Sequence, residues 1–579
     1  MAALPEDDPA IPARPTKPAL GARAAEMHCD VLIVGGGTGG VAAALSCIKL
    51  GVSCIIVEPS AWLGGQLTSQ GVPPDENQWI ESFGGTASFQ QLRSMVRGSA
   101  LAEGARERSA EPFGAFNPGG GWVSRCCAEP ARWHTQILEL LRQAEPTASR
   151  PMLKVLLECE AIGVTRDAEH LRSVRCADRA TGREIVISAK FFLDATETGD
   201  VLALGHVPHH IGAEHQSVYG ELHGRTDFDA ALATHDQLDQ QACSWCFAVE
   251  HRPGESHTIA RPPGYDFWQA HVPQMNPPWC GPLFSWTVPS HNEVGYRTFG
   301  MTPWPDEPQP SEWEMWRYRR IVDRSVWPGV LAESHPDVSL INMVQMDYWQ
   351  SPLLGVTAHL RACALAGARE QSLCWLYWLQ TQAPHHDGSS QGYPGLKLRG
   401  NELGTADGFA MACYIREPRR LVARTTLTEV DIGTAQRQRD GRDTAEHNWD
   451  ATPYGTATRF ADSVGIGHYS IDLHPSCAGR NNLYVPAAPY QIPMGALIPV
   501  SVRNLLAAGK CLGVSHIVNG TTRMHHSEWN IGESAGALAS WCVLHRTEPH
   551  AVAVQPEQVG AVQSVLAHLG VRLAWPWEQ

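Results

Sequence analysis

The chain has 579 residues, 43% of them hydrophobic and 18% charged. That is apolar material for large cores and more length than one ordinary core uses. A formal net charge of −15 argues against a nucleic-acid partner, because phosphate binding needs basic surface, and no apolar run reaches the length of a membrane span.

In chain order, residues 1–28 are rich in Pro and Ala, with no apolar h-region and no twin arginine. A disordered tail is expected there, not a secretory signal. Asp30–Val34 reads as a buried parallel strand. Gly35, Gly37 and Gly40 complete G-x-G-x-x-G directly after it, with Thr38 and Gly39 between them. A helix then runs to Gly51, and Ser53–Glu58 is a second buried strand ending on an acid. Gly35 makes the tight turn, Gly37 admits a pyrophosphate to the backbone, and Gly40 lets the helix pack on the sheet. The helix N-terminus offers N–H groups to the phosphates, and Glu58 can accept from ribose hydroxyls. NAD and FAD proteins both use this unit.

Further on come Gly64, Gly65 and Gln66, then vicinal Cys126 and Cys127, read as packing residues. Lys190–Asp200 is a strand that ends in Asp194, Ala195 and Thr196. Cys243 and Cys246 have C-x-x-C spacing but no helix start or second pair beside them, so packing is expected again. Sixteen cysteines are too sparse for a disulfide scaffold, and a reducing cytoplasmic setting is the expectation. The segments SHNEVGYRTFG and NMVQMDYWQSP, with Trp-rich helices around them, are candidate pocket walls. Arg416, Arg419 and Arg420 form a tight cationic group. It could clamp a substrate carboxylate through Arg416 and Arg420, or be tied up with Glu417. If HYSID is a strand, His468, Ser470 and Asp472 share a face, with His468 as a candidate base. A late strand leads to Gly509. A loop from Val514 to Met524 carries His516, Gly520 and Arg523. His525 and His526 diverge in an extended loop, and no metal site is expected. Asn530–His545 reads as a helix with a small-residue face of Gly532, Ala535, Gly536 and Ala539.

Together with WVSRCCAEP, QTQAPHHDGSSQGYP, YIREPRRL and DSVGIGHYSIDLHP, these segments resemble the FAD-dependent oxidoreductase family over roughly Asp30–Trp541; more distant relatives include fumarate-reductase-like flavoproteins. Two positions depart from its pattern: Pro418 stands where serine is usual, and Cys126 where an aliphatic residue is usual. The resemblance implies an α/β fold with a Rossmann-like FAD-binding domain of the glutathione-reductase type. That domain would be built from residues 29–205 and 431–546, with an inserted α+β substrate domain over 206–430 and a C-terminal extension over 547–579. It implies FAD, bound non-covalently. Gly64, Gly65 and Gln66 would pass the pyrophosphate, Asp194–Thr196 would match the family's "ATG" segment, and Gly509 would close over the ribityl chain. The helix carrying Gly532 would approach the flavin, with His516 and Arg523 near its ring as candidate catalytic residues.

The expected chemistry is hydride transfer between a small organic substrate and flavin N5. The alternatives are a monooxygenase or halogenase working through a C4a-hydroperoxide, and a non-catalytic flavin-binding redox sensor or complex subunit. There is no second complete dinucleotide fingerprint, so no separate NAD(P)H domain is expected.

Overall fold

The central sheet grows from strand β1 (Ala25–Val34), whose Val31–Val34 are almost fully buried. The computed structural model describes residues 25–108, 114–146, 151–229, 235–290, 295–303, 314–442 and 455–578. The tail expected over 1–28 therefore lies outside the described residues up to 24, and residues 25–28 belong to β1. Helix α1 (Thr38–Lys49) follows, closed by Gly51 in the left-handed region at φ 73°. β2 (Cys54–Val57) pairs parallel to β1, with Val34 opposite Val57. Helices α2 (Ala87–Glu103) and α3 (Pro130–Ala144) lead to β3 (Leu153–Leu156), β4 (Cys159–Arg166), β5 (Leu171–Asp178) and β6 (Glu184–Asp194).

The strand order is β3-β2-β1-β6-β5-β4, with Leu505–Ala507 as the seventh strand. The far edge of β6 is divided. Its first half pairs antiparallel with β5, and its last three residues pair parallel with Leu505–Ala507. The carboxyl ends of four parallel strands thus converge at Val34, Val57, Asp194 and Ala507. That crevice is where open α/β sheets bind ligands.

A second, smaller sheet has β7 (Phe247–His251), β8 (Arg320–Val322), β9 (Val338–Ile341) and β10 (Leu396–Leu398) in the order β8-β9-β7-β10. Helix α4 (Ala358–Thr381) lies nearby, and the tryptophans pack inward: Trp375 and Trp378 stack at 4.7 Å. This aromatic core takes residues from Ala242 to Phe409. The core under the large sheet draws on Val31–Val207 and again on Leu421–Val571.

The chain returns through β11 (Ser463–Gly467) and β12 (Ile471–Leu473), then α5 (His516–Thr522), α6 (His525–His545) and α7 (Pro556–Leu569). α7 buries Val559, Val562 and Leu566 in the first core, so the expected C-terminal extension is part of that core. α6 packs on α1 through its glycines. A Cβ on Gly532 would lie 2.0 Å from the Gly39 carbonyl oxygen, and one on Gly536 would lie 2.3 Å from that of Ala43. The small face of α6 is thus turned to α1, and Gly532 itself meets the backbone of the glycine loop at Gly39. All sixteen cysteines are free thiols, and Cys126, Cys127, Cys243 and Cys246 are buried. Among the described residues no helix is long and apolar enough to cross a membrane.

Candidate active site

A glycine-lined cradle lies at the converging strand ends. Gly35 has φ 101°, and a Cβ there would meet the Ala195 carbonyl oxygen at 2.2 Å, so only glycine serves. Gly37 begins α1 without a side-chain cap, and the first turn holds no acid of its own; Glu528 takes the Gly39 N–H, and the neighbouring N–H groups are left for a ligand. Glu58 accepts from the Gly36 N–H (2.7 Å) and the Ser60 N–H (2.9 Å). Burial pushes its carboxyl up to about 7. Thr38 Oγ1 donates to the Gly64 carbonyl at 3.1 Å, and Gly64 N–H to that of Gly36 at 2.8 Å. The second glycine pair is therefore strapped across the first.

Ala195 lies against Gly35, but Asp194 and Thr196 face their own turn. The Asp194 carboxylate accepts from the Thr196 hydroxyl (2.7 Å) and the Leu202 N–H (3.0 Å), and burial pushes it up to about 6. Glu197, Lys510 and Glu528, which sequence reasoning did not assign to the site, join Gln66 in completing the cradle. Glu197 pairs with the buried Lys510 and brings its Oε1 within 2.8 Å of where a Gly37 Cβ would be. Gln66 Nε2 donates to Glu528 at 2.5 Å and to the Arg523 carbonyl at 3.0 Å. A Cβ on Gly509 would lie 3.2 Å from Glu528 Oε1. Glu197 Oε1 and Gln66 Oε1 are buried without a hydrogen-bond partner. A glycine-lined cradle, a helix start without a cap of its own, one buried lysine and two orphaned side-chain acceptors fit a dinucleotide. Its diphosphate would lie at Gly37–Gly40, Gly65 and Lys510, and its ribose at Glu58.

The expected catalytic and binding side chains separate. His516 begins α5, whose N-cap Ser515 accepts from the Val518 N–H; a helix stands where a loop was expected. Its imidazole is enclosed in an ionic knot, with Nδ1 2.8 Å from Glu417 and Nε2 against Arg480. Arg420 belongs to the same knot through Glu417 and Glu214. The three arginines are not a group: Arg419 turns to Asp200 at 3.2 Å and Arg416 to Asp347 at 3.0 Å. Nor is HYSID one strand. β11 ends at Gly467 and β12 starts at Ile471, so His468 does not share a strand face with Asp472. The His468 ring lies 5.1 Å from that of Trp79, and burial lowers its pKa to about 3. A Cβ on Gly520 would touch the Asp472 backbone at 2.9 Å, so this glycine lets α5 lie on β12.

Helix α6 begins at His525, five residues before the expected start, so both histidines sit in a buried first turn. His525 Nδ1 accepts the Asp75 N–H at 3.1 Å, and His526 Nε2 donates to the His468 carbonyl at 3.0 Å. Among the described residues no group of three or more His, Cys, Asp or Glu could hold a metal. Burial lowers the pKa of His526 to about 4. The unfolded chain, near 6.5, therefore binds the extra proton first, and stability present above 6.5 is lost as pH falls toward 4. The cost approaches roughly 3 kcal/mol at that limit. His526→Gln is expected to shrink the drop in Tm between pH 7 and pH 4.5; an unchanged drop in thermal melts would disprove this.

Beside the cradle lies a cavity of about 150 Å³. Arg297, Arg319, Arg416 and Arg523 face it, with Asp75, Asp472 and His474, the rings of Tyr318, Tyr414, Tyr469 and Tyr484, and apolar Phe299, Met343 and Val344. Parts of both expected wall segments are here: Arg297 and Phe299 from one, Asn342–Val344 from the other. Arg523 donates to the Tyr414 hydroxyl (2.9 Å) and to Asp472 (3.1 Å). His474 Nδ1 lies 2.5 Å from Asp347 Oδ2, and its Nε2 lies 3.5 Å from Asp472 Oδ2. Burial would raise the Asp347 carboxyl, but Arg416 and then His474 outweigh it and hold it below its ordinary value. Cavity and cradle form one piece, because Gln66 holds the Arg523 carbonyl and Asp75 holds His525.

The sequence matches the family described as FAD dependent oxidoreductase over residues 30–566. No curated protein matches it. Among solved structures, a geranylgeranyl bacteriochlorophyll reductase-like protein from Thermoplasma acidophilum is 9% identical, with 95% of this chain and 85% of that chain covered at a TM-score of 0.31. The flavin-dependent monooxygenase PieE, solved with FAD and substrate, is 15% identical, with 39% and 36% covered and a TM-score of 0.23. The myxobacterial halogenase CndH is 13% identical, with 40% and 45% covered and a TM-score of 0.23. This chain thus spans less than half the length of each of the last two. On the family match across nearly its whole length, the chain belongs to the FAD-dependent oxidoreductase family and is an enzyme whose cofactor is FAD.

Proposed function

We propose that the protein carries out a two-electron oxidation or reduction of a small organic substrate held in the Arg- and Tyr-lined cavity. Bound FAD supplies the redox chemistry, exchanging a hydride equivalent with the substrate. The observation that carries the reading is His474 on the cavity wall, paired with the buried Asp347. Asp347 is pinned by Arg416 at 3.0 Å and by the Ser244 hydroxyl at 2.5 Å. It pairs with His474 Nδ1 and orients the ring, which sets Nε2 at the cavity wall beside Asp472, where a proton could be exchanged with the substrate. Arg523, braced by Tyr414 and Asp472, orients the substrate. Phe299, Met343 and Val344 help to keep water out.

The same reading keeps a glutathione-reductase-type arrangement with a substrate domain inserted over 206–430. The separate aromatic core from Ala242 to Phe409 supports it. The test is spectroscopic. The purified protein should carry FAD in near-equimolar amount. Under anaerobic conditions its visible flavin absorbance should bleach with a member of a panel of small acids, amines and alcohols. A protein that neither holds nor takes up FAD, or whose flavin exchanges electrons with no panel member in either direction, would refute the proposal.

A further inference from the structure

Four guanidinium groups face the cavity against two carboxylates, Asp75 and Asp472. This excess of positive charge lies inside a protein whose net charge is −15. Two of the arginines have ion-pair partners: Arg416 has Asp347 at 3.0 Å and Arg523 has Asp472 at 3.1 Å. Arg319 differs. Its Nη1 donates to the Asn342 carbonyl at 2.7 Å, and its guanidinium lies 4.7 Å from the centre of the Tyr318 ring. Its Nε is buried without a hydrogen-bond partner, as are those of Arg416 and Arg523, so what sets Arg319 apart is the missing carboxylate. Among the described residues no carboxylate lies within ion-pair distance of it. Asp75 is the acid acting on it through space, and burial pushes that carboxyl up. A guanidinium held this way inside a protein calls for an anion, and its planar fork suits a carboxylate best.

The rest of the wall sets the body of that anion. Four tyrosine rings and Phe299 surround a space of about 150 Å³, which is about five water volumes. Burial raises the pKa values of Tyr318, Tyr414 and Tyr469, so their hydroxyls stay protonated and can donate. Flat aromatic walls favour a planar guest. We infer that the substrate is a small planar organic acid, of benzoate size or smaller, whose carboxylate is bound by Arg319. This rests on the cavity being the substrate site proposed above.

The probe is benzoate, titrated into the oxidised holoenzyme while the flavin spectrum and the melting temperature are followed. Benzyl alcohol and inorganic phosphate serve as comparisons. Benzoate is expected to bind saturably, and benzyl alcohol and phosphate at least about 10-fold more weakly. Arg319→Met is expected to weaken benzoate about 10- to 100-fold with the FAD-to-protein ratio unchanged. If that variant does not fold, Arg319→Lys, which keeps the charge but loses the fork, should weaken binding by a smaller factor. Absence of benzoate binding would overturn the inference. So would benzyl alcohol or phosphate binding as tightly as benzoate, or a folded Arg319 variant that binds benzoate like the wild type. A holoenzyme that exchanges electrons with another panel member and ignores carboxylates defeats this inference alone. Absence of FAD defeats the earlier reading, and the benzoate-dependent melting shift still tests this one.

Discussion

His474→Gln should retain FAD and fold while turning over roughly 10²- to 10⁴-fold more slowly, the usual worth of a positioned acid or base. The side chain is 15% exposed, so the change stays at the cavity wall. Glutamine can still donate to Asp347 but cannot exchange a proton at neutral pH. The loss should appear in kcat under saturating substrate, with a smaller change in KM. Asp347→Asn should show a comparable kinetic defect with an added stability cost. It leaves the buried Arg416 without its carboxylate, a change worth roughly 3–5 kcal/mol. Stopped-flow reduction of each variant, with a thermal melt, separates the two. A His474→Gln enzyme with a wild-type flavin reduction rate would remove His474 from the chemistry.

Gly532→Ala should be as damaging as a single added methyl can be outside the glycine loop itself. Placed elsewhere on a helix, alanine for glycine is worth about 1 kcal/mol in the stabilising direction. Here the new Cβ would lie 2.0 Å from the Gly39 carbonyl oxygen, and the atom in the way is backbone. α6 must move off α1, taking Glu528 away from Gln66. The expected cost is roughly 1–3 kcal/mol or more, with FAD retention on gel filtration reduced at least several-fold. Gly560→Ala on α7 is the control, because a Cβ there meets nothing within 4 Å. It should leave FAD content unchanged and raise the Tm slightly. Equal behaviour of the two variants would show that the α1–α6 contact does not govern cofactor retention.

The cradle was legible because its signals are local. A buried strand, glycines at fixed spacing, a helix and an acid-tipped strand lie within residues 30–58, and the structure keeps that register. The start of α6 was not legible. His525, His526 and Glu528 look like a polar loop, and only burial against β11 and α1 makes helix the better state for them. The pairing of His468 with Asp472 failed because a period-2 argument needs an unbroken strand, and the strand is interrupted at 468–470. The arginines of YIREPRR dispersed because each found its own acid: Asp347, Asp200 and Glu214 are scattered across the sequence. The cavity is the extreme case. It gathers Asp75, Arg297, Arg319, Tyr414, His474 and Arg523 from six separate stretches. The two wall segments were recognisable by composition alone. Arg319 and Asp347 carried no spacing that could single them out.

The packing of α1 on α6 also orders events in time. Cys47 on α1 donates to the Gly536 carbonyl on α6, a partner 489 residues further along the chain. The strand Leu505–Ala507 that completes the edge of β6 comes equally late. At a synthesis rate of roughly 5–20 residues per second, the glycine loop would wait on the order of 25–100 s before its second wall exists. During that interval the small-residue face of α1 has nothing to bury it, a state open to chaperone capture or aggregation. The two walls of the nucleotide cradle are thus translated far apart in time. A complete binding site for flavin therefore requires the segment from Leu505 to Gly536 to have been made.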